Sequence, residues 1–185
     1  GTTAGTTMLK HIRAGSDGSS NEGGNSTGCF GTYEFVEFNG FVYFNANDGA
    51  NSGQNSELWR TDGTTAGTAL FIDNYCCGGG GPGNLVNAST FLFFTSDNQS
   101  TTGVEPWKSD GTVGGTAMIK NIFNPGFNAG SILGDVPTAY MNGYVYFVAI
   151  DVYDAGNLSL MPPQNPYVNA ELWRTDGTNA NTTKV

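Results

Sequence analysis

Hydrophobic residues occur along this chain in short bursts bounded by Gly, Asn, Ser and Thr, and no burst sustains the 3.6-residue period of an amphipathic helix. The bursts predict strands. The clearest pair is residues 33–38 and 41–45, rich in Phe, Tyr and Val, on either side of Asn39-Gly40. Asn-Gly is the strongest short hairpin signal, because both positions of such a turn need positive φ. Asn142-Gly143 stands in the same way before residues 144–149. Shorter apolar stretches at 8–12, 70–73 and 118–122 each follow a Gly-Thr motif. A further strand begins at Glu57-Leu58-Trp59 and is closed by an Asp-Gly turn.

The elements recur in one order because the sequence repeats. Glu57-Leu58-Trp59-Arg60-Thr61-Asp62-Gly63-Thr64 returns as Glu105-Pro106-Trp107-Lys108-Ser109-Asp110-Gly111-Thr112 and as Glu171-Leu172-Trp173-Arg174-Thr175-Asp176-Gly177-Thr178. The chain opens on the second half of the motif, Gly1-Thr2-Thr3-Ala4-Gly5-Thr6. Gly1, Gly63, Gly111 and Gly177 are 62, 48 and 66 residues apart, and the shortest interval is close to the period of a propeller blade. Units 1–62, 63–110 and 111–176 each read as four short antiparallel strands, a blade-like meander, and residues 177–185 repeat residues 1–9 as an overhanging strand. The extra length of the first and third units lies in connections. Residues 14–29 are polar and Gly-rich, and residues 151–169 carry Pro162, Pro163 and Pro166, which a central strand excludes.

Composition changes this picture in two respects. Twelve Phe, eight Tyr and three Trp weigh against disorder in a chain with 28 Gly, since disordered segments lack such rings. Sixteen acidic against seven basic residues give a net charge of -9, which repels the phosphate backbone and removes nucleic acid as an expected partner. No apolar run approaches the roughly 20 residues of a helical membrane span, so membrane insertion is not expected either.

The Glu-Leu-Trp-Arg-Thr-Asp-Gly-Thr-Thr-Ala-Gly-Thr motif at residues 57–68 resembles the tandem repeat of large bacterial secreted and surface proteins, described as propeller-like or hyalin-like. The resemblance covers nearly the whole chain. It implies an extracellular, all-β repeat protein and brings no catalytic residues with it. The expected fold is a series of four-stranded antiparallel blade-like meanders, propeller-like and open, completed by a strand from a neighbouring copy.

Repetition also sorts the candidate sites, because a residue recurring at one place in every unit is explained by the scaffold. Trp59, Trp107 and Trp173 recur, as do the cations after them, Arg60, Lys108 and Arg174. Lys10 and Lys120 share another repeat position. His11, the only histidine, is replaced by Asp73 and Asn121 in the other units, so it reads as a polar strand-end residue and not a catalytic base. Without a second His the common Ser-His-Asp and Cys-His arrangements are not expected. Asp62, Asp110 and Asp176 read as turn-closing side chains. Calcium is the alternative use of their oxygens, but no Asp-x-Asp-x-Asp-Gly spacing is present. Glu57, Glu105 and Glu171 recur ahead of each Trp and read as a repeated structural bond in place of a glycosidase pair. No enzyme, cofactor or metal site is expected.

Cys29, Cys76 and Cys77 lie in equivalent connections of consecutive units, so one disulfide from Cys29 to either partner is expected in an oxidising compartment. The remaining thiol is then free or bonded to another chain. Asn25, Asn87, Asn98, Asn157 and Asn181 stand in glycosylation sequons, about the number that chance gives in a chain so rich in Asn, Ser and Thr.

The ends give the sharpest expectation about function. Four copies of the first strand accompany three of every other strand, and three blades are fewer than the roughly four to eight of a closed propeller. A surplus strand and an open edge favour head-to-tail addition of copies. The reading is a structural subunit of an extracellular bacterial filament or surface polymer, with copies of itself as partner. The alternative is a fragment of a secreted propeller-like protein that binds carbohydrate or a surface partner through Phe127, Tyr153 and Tyr167.

Overall fold

The computed structural model describes residues 2–13, 34–50, 56–73, 81–97, 102–123, 130–132, 136–151 and 170–185. These residues form an all-β protein of three separate four-stranded antiparallel meanders. The first sheet contains β1 (Phe35–Phe38), β2 (Phe41–Ala46), β3 (Glu57–Thr61) and β4 (Ala69–Ile72). The second contains β5 (Gly83–Asn87), β6 (Leu92–Ser96), β7 (Glu105–Ser109) and β8 (Ala117–Met118). The third contains β9 (Ala139–Met141), β10 (Tyr144–Ala149), β11 (Glu171–Thr175) and β12 (Thr183–Lys184).

Local chemistry sets the hairpins. Asn39 and Gly40 have φ of 51° and 77°, and Asn142 and Gly143 have 52° and 85°, the paired positive values of a two-residue hairpin turn. In the second sheet Ser89 takes the first of these positions at φ 67°, and Ala88 N–H donates to Phe91 O at 2.9 Å.

Each sheet draws its fourth strand from beyond the next Asp-Gly turn, so the sheets straddle the sequence units. The turn explains this. Asp62 Oδ1 accepts from Thr64 N–H at 2.9 Å and from the Thr64 hydroxyl at 2.7 Å, while the Thr61 and Thr68 hydroxyls bond at 2.7 Å, folding β4 back on β3. Asp110 and Asp176 make the same pair of bonds to Thr112 and Thr178. Residues 177–185, read in the sequence as an overhang, therefore supply β12 to the third sheet, and the copy left outside every sheet is the N-terminal one. Residues 8–12 were expected as a strand but form none, because the described residues offer them no ladder partner. They lie against the first sheet instead, where Lys10 Nζ donates to Thr68 O at 2.5 Å and Thr65 Oγ1 donates to Leu9 O at 2.8 Å.

The sheets stack in chain order. Phe38, Tyr43, Leu58 and Phe71 of the first sheet bury themselves against Leu85, Leu92 and Phe94 of the second. Phe93 and Ile119 of the second pack on Val145, Phe147, Ala149 and Trp173 of the third. Every residue of β6 is buried because its sheet is covered on both faces. The sheets approach one another along their first strands, β1 against β5 and β5 against β9.

Candidate functional site

The repeated carboxylates make one of the more specific polar sites. Glu105, on β7, is fully buried and accepts four bonds: from Ile122 N–H at 3.0 Å, Phe123 N–H at 3.4 Å, Ser131 N–H at 3.1 Å and the Ser131 hydroxyl at 2.6 Å. It thereby ties the chain leaving β8 to the strand that precedes it. Burial pushes this carboxyl up to about 7, with the four donors pulling the other way. Glu57 is also buried and is pushed up to about 7, first by burial and then by the charge of Asp48. Glu171 occupies the same repeat position but is exposed, and pairs with Lys184, whose ammonium also reaches Asp151 at 3.0 Å. The three glutamates lie on three different sheets, so the structure does not assemble them into one cleft.

The other sequence candidates serve turns and sheet junctions. Asp62, Asp110 and Asp176 are held below the usual carboxylate range by the hydroxyls of Thr64, Thr112 and Thr178 in the turns they close. At Gly67 and Gly115 a Cβ would meet the carboxylate of Asp62 or Asp110 where each now stands. In the third copy Asn181 takes that position and donates from Nδ2 to Asp176 Oδ2 at 2.6 Å. Arg60 lies over the rings of Phe41 and Phe71, at 4.4 and 5.0 Å, and donates to Gly111 O of the next sheet at 2.8 Å. Arg174 stacks on Tyr144 at 4.7 Å. Trp107 Nε1 donates to Ser96 O at 2.9 Å, while Trp59 and Trp173 carry Lys10 and Lys120 over their rings at 6.0 and 5.7 Å. His11 is exposed, and its Nδ1 bonds to Arg13 O at 2.8 Å. Asn87 reaches from the second sheet to Glu37 O of the first at 2.7 Å. Cys29, Cys76, Cys77, Asn25, Asn98, Asn157, Phe127, Tyr153 and Tyr167 lie outside the described residues. Among the described residues no group of three or more His, Cys, Asp or Glu is placed to hold a metal.

Sequence reasoning missed a surface. On each sheet, four positions face the sheet that follows it in the chain. In the first they are Phe38, Tyr43, Leu58 and Phe71, and in the second Ala88, Phe93, Pro106 and Ile119, all of them buried. In the third they are Met141, Tyr146, Leu172 and Val185, where Met141 is 55%, Leu172 48% and Val185 69% exposed and Tyr146 half-buried. The side chains remain apolar with nothing among the described residues to cover them. The signal was present in the repeat, since Leu172 matches Leu58 within the Glu-Leu-Trp motif, but exposure depends on there being a fourth sheet.

Comparison with protein-family models, with curated proteins and with solved structures gives no match to this chain.

Proposed function

We propose that this chain is a non-enzymatic structural subunit of an extracellular or cell-surface polymer, assembling head to tail by strand complementation. The observation that carries the reading is the position of residues 8–13. Lys10 bonds to Thr68 O and covers Trp59 in the first sheet, as Lys120, just beyond β8, bonds to Thr182 O at 2.8 Å and covers Trp173 in the third. The N-terminal segment thus stands where the last strand of a preceding sheet would stand. In a polymer of this chain a second copy supplies that sheet, and because the two contacting surfaces differ, the contact is head-to-tail and repeats. The resemblance to bacterial surface repeats supports the extracellular setting, and the aromatic load gives each junction its apolar area. Electron microscopy and light scattering of the purified chain test the proposal. Elongated particles whose size grows with concentration are expected; monomers alone across a wide concentration range would overturn it.

A further inference from the structure

The geometry points to a self-modification site in the first hairpin. There the Glu37 carboxylate is the base that lets Gly40 N attack the Asn39 side chain, releasing ammonia and leaving an aspartyl or isoaspartyl residue between the first two sheets. All the groups involved lie on those two sheets and take no part in the contacts proposed between copies.

Three contacts meet on this turn. Gly40 N–H donates to Glu37 Oε1 at 3.0 Å, so a carboxylate already holds the proton that has to leave. Asn39 Nδ2 donates to Asp110 O at 3.2 Å, which holds the side-chain amide to one orientation. Asn87 Nδ2 donates to Glu37 O at 2.7 Å and steadies the backbone from which the base projects. Both turn residues are exposed, so the water that completes the reaction has access. Gly40 carries no Cβ to shield its nitrogen, and the space beside its Cα is open.

The step balances with water as its only co-reactant. Glu37 takes the proton of Gly40 N–H as that nitrogen bonds to Asn39 Cγ. The bond from Cγ to Nδ2 then breaks, and the amide nitrogen leaves as ammonia with the proton that Glu37 returns. Water opens the resulting cyclic imide at one carbonyl or the other. One opening gives Asp, and the other gives isoaspartate, with the main chain running through the former side chain. Nothing is oxidised or reduced, and Glu37 is regenerated after acting first as general base and then as general acid. With the amide and the N–H both held, little rotational freedom is left to lose on closing the ring.

The second Asn-Gly turn serves as an internal control. Asn142 and Gly143 have the same paired positive φ, 52° and 85°, as Asn39 and Gly40 at 51° and 77°. Phe38 pairs with Phe41, and Met141 with Tyr144, so Tyr140 occupies the place of Glu37 and brings no carboxylate to Gly143.

The product changes the junction it sits in. A carboxylate replaces the amide that donated to Asp110 O, so acceptor faces acceptor and the bond is lost. Arg60 to Gly111 O and Asn87 to Glu37 O remain as the neighbouring polar links. The modification is therefore a slow, one-way loosening of the first sheet from the second.

The test incubates full-length wild-type and Glu37→Gln chains in water enriched in heavy oxygen, well below their melting temperatures. Mass spectrometry follows the peptides that contain residues 39 and 142 and separates Asp from isoaspartate. Glu37→Gln keeps an acceptor for Gly40 N–H but removes the base, so it should slow ammonia loss at Asn39 by about tenfold or more while leaving Asn142 unchanged. Equal rates at Asn39 in the two chains overturn the role of Glu37. An Asn39 that stays intact in the folded chain but reacts once the chain is unfolded in urea overturns the site. Asn39→Asp, which imitates one product, should lower Tm; a melt identical to wild type overturns the loosening.

Discussion

Leu58 and Leu172 are the same residue at the same repeat position, one 0% and the other 48% exposed, which turns the open face into a stability measurement. Truncating Leu58 to Ala removes buried methyl groups between the first and second sheets and leaves a cavity, a change that costs about 2–5 kcal/mol. Truncating Leu172 removes a side chain that is already half in water. With about 1.5–3 kcal/mol for burying a whole Leu, half-burial and no cavity bring the cost to about 1 kcal/mol or less. At about 2–4 °C per kcal/mol for a chain of this size, Leu58→Ala should lower Tm by about 4–20 °C and Leu172→Ala by no more than about 4 °C. Both variants are melted with tryptophan fluorescence, at a concentration where light scattering reports monomers. Equal losses would refute the argument, because they would mean that the third sheet is covered within a single chain. In concentrated samples the order should reverse for assembly, Leu172→Ala weakening it and Leu58→Ala acting only through the fold.

Glu57 and Glu105 predict an unusual pH dependence. Both carboxyls are raised to about 7 in the fold, so the folded chain holds protons that the unfolded chain has released above about pH 4.5, and stability falls as pH rises from about 5 to 8. Each contributes at most about 3 kcal/mol over that window, and Glu57→Gln with Glu105→Gln should flatten a urea-midpoint profile measured across it. Asp62, Asp110 and Asp176 act in the opposite sense, their lowered values adding stability that is lost as pH falls below the usual carboxylate range, so the profile should peak between the two regimes. Gly67→Ala obliges the Asp62 carboxylate to shift and should cost about 1 kcal/mol by denaturant titration, since the third copy keeps its Asp176 turn bonds with Asn181 in that place, while Gly114→Ala, with open space around it, should cost less. Arg60→Lys should lose about 1–2 kcal/mol despite keeping its charge, because the planar group stacks on Phe41 and Phe71 while bonding to Gly111 O; a melt indistinguishable from wild type would show that the stack carries no stability.

Legibility in the sequence followed how local each cause was. The Asn39-Gly40 and Asn142-Gly143 hairpins were readable because the turn chemistry lies in the two residues themselves. The hairpin between β5 and β6 has Ser89 and Thr90 in those places and gave no such signal, although Ser89 adopts the same positive φ. That sheets straddle the units was not readable, because the choice between pairing β4 with its own unit and with the preceding one is made by the Asp62 to Thr68 turn. Residues 8–12 look like a strand for the same reasons as residues 69–72, with similar apolar character after the same motif. Strand formation needs a partner, and sequence pattern does not count partners. The open face was hidden by the repetition, which made Leu172 look as scaffold-like as Leu58.

In the head-to-tail assembly proposed above, the rotation of one copy relative to the next decides what is built. The sheets meet along β1, β5 and β9. If the rotation between copies matched that between neighbouring sheets, two copies would place six sheets around one axis, within the roughly four to eight of closed propellers. A head-to-tail contact that closes gives a ring, and one that does not close gives a helical filament. The junctions already differ within the chain. The first places Ile72 where the second places Lys120, and Arg60 crosses the first to Gly111 O. Mass measurement separates the outcomes: a particle of twice 19.4 kDa that stops growing is the closed ring, and it would keep the strand exchange while removing the polymer.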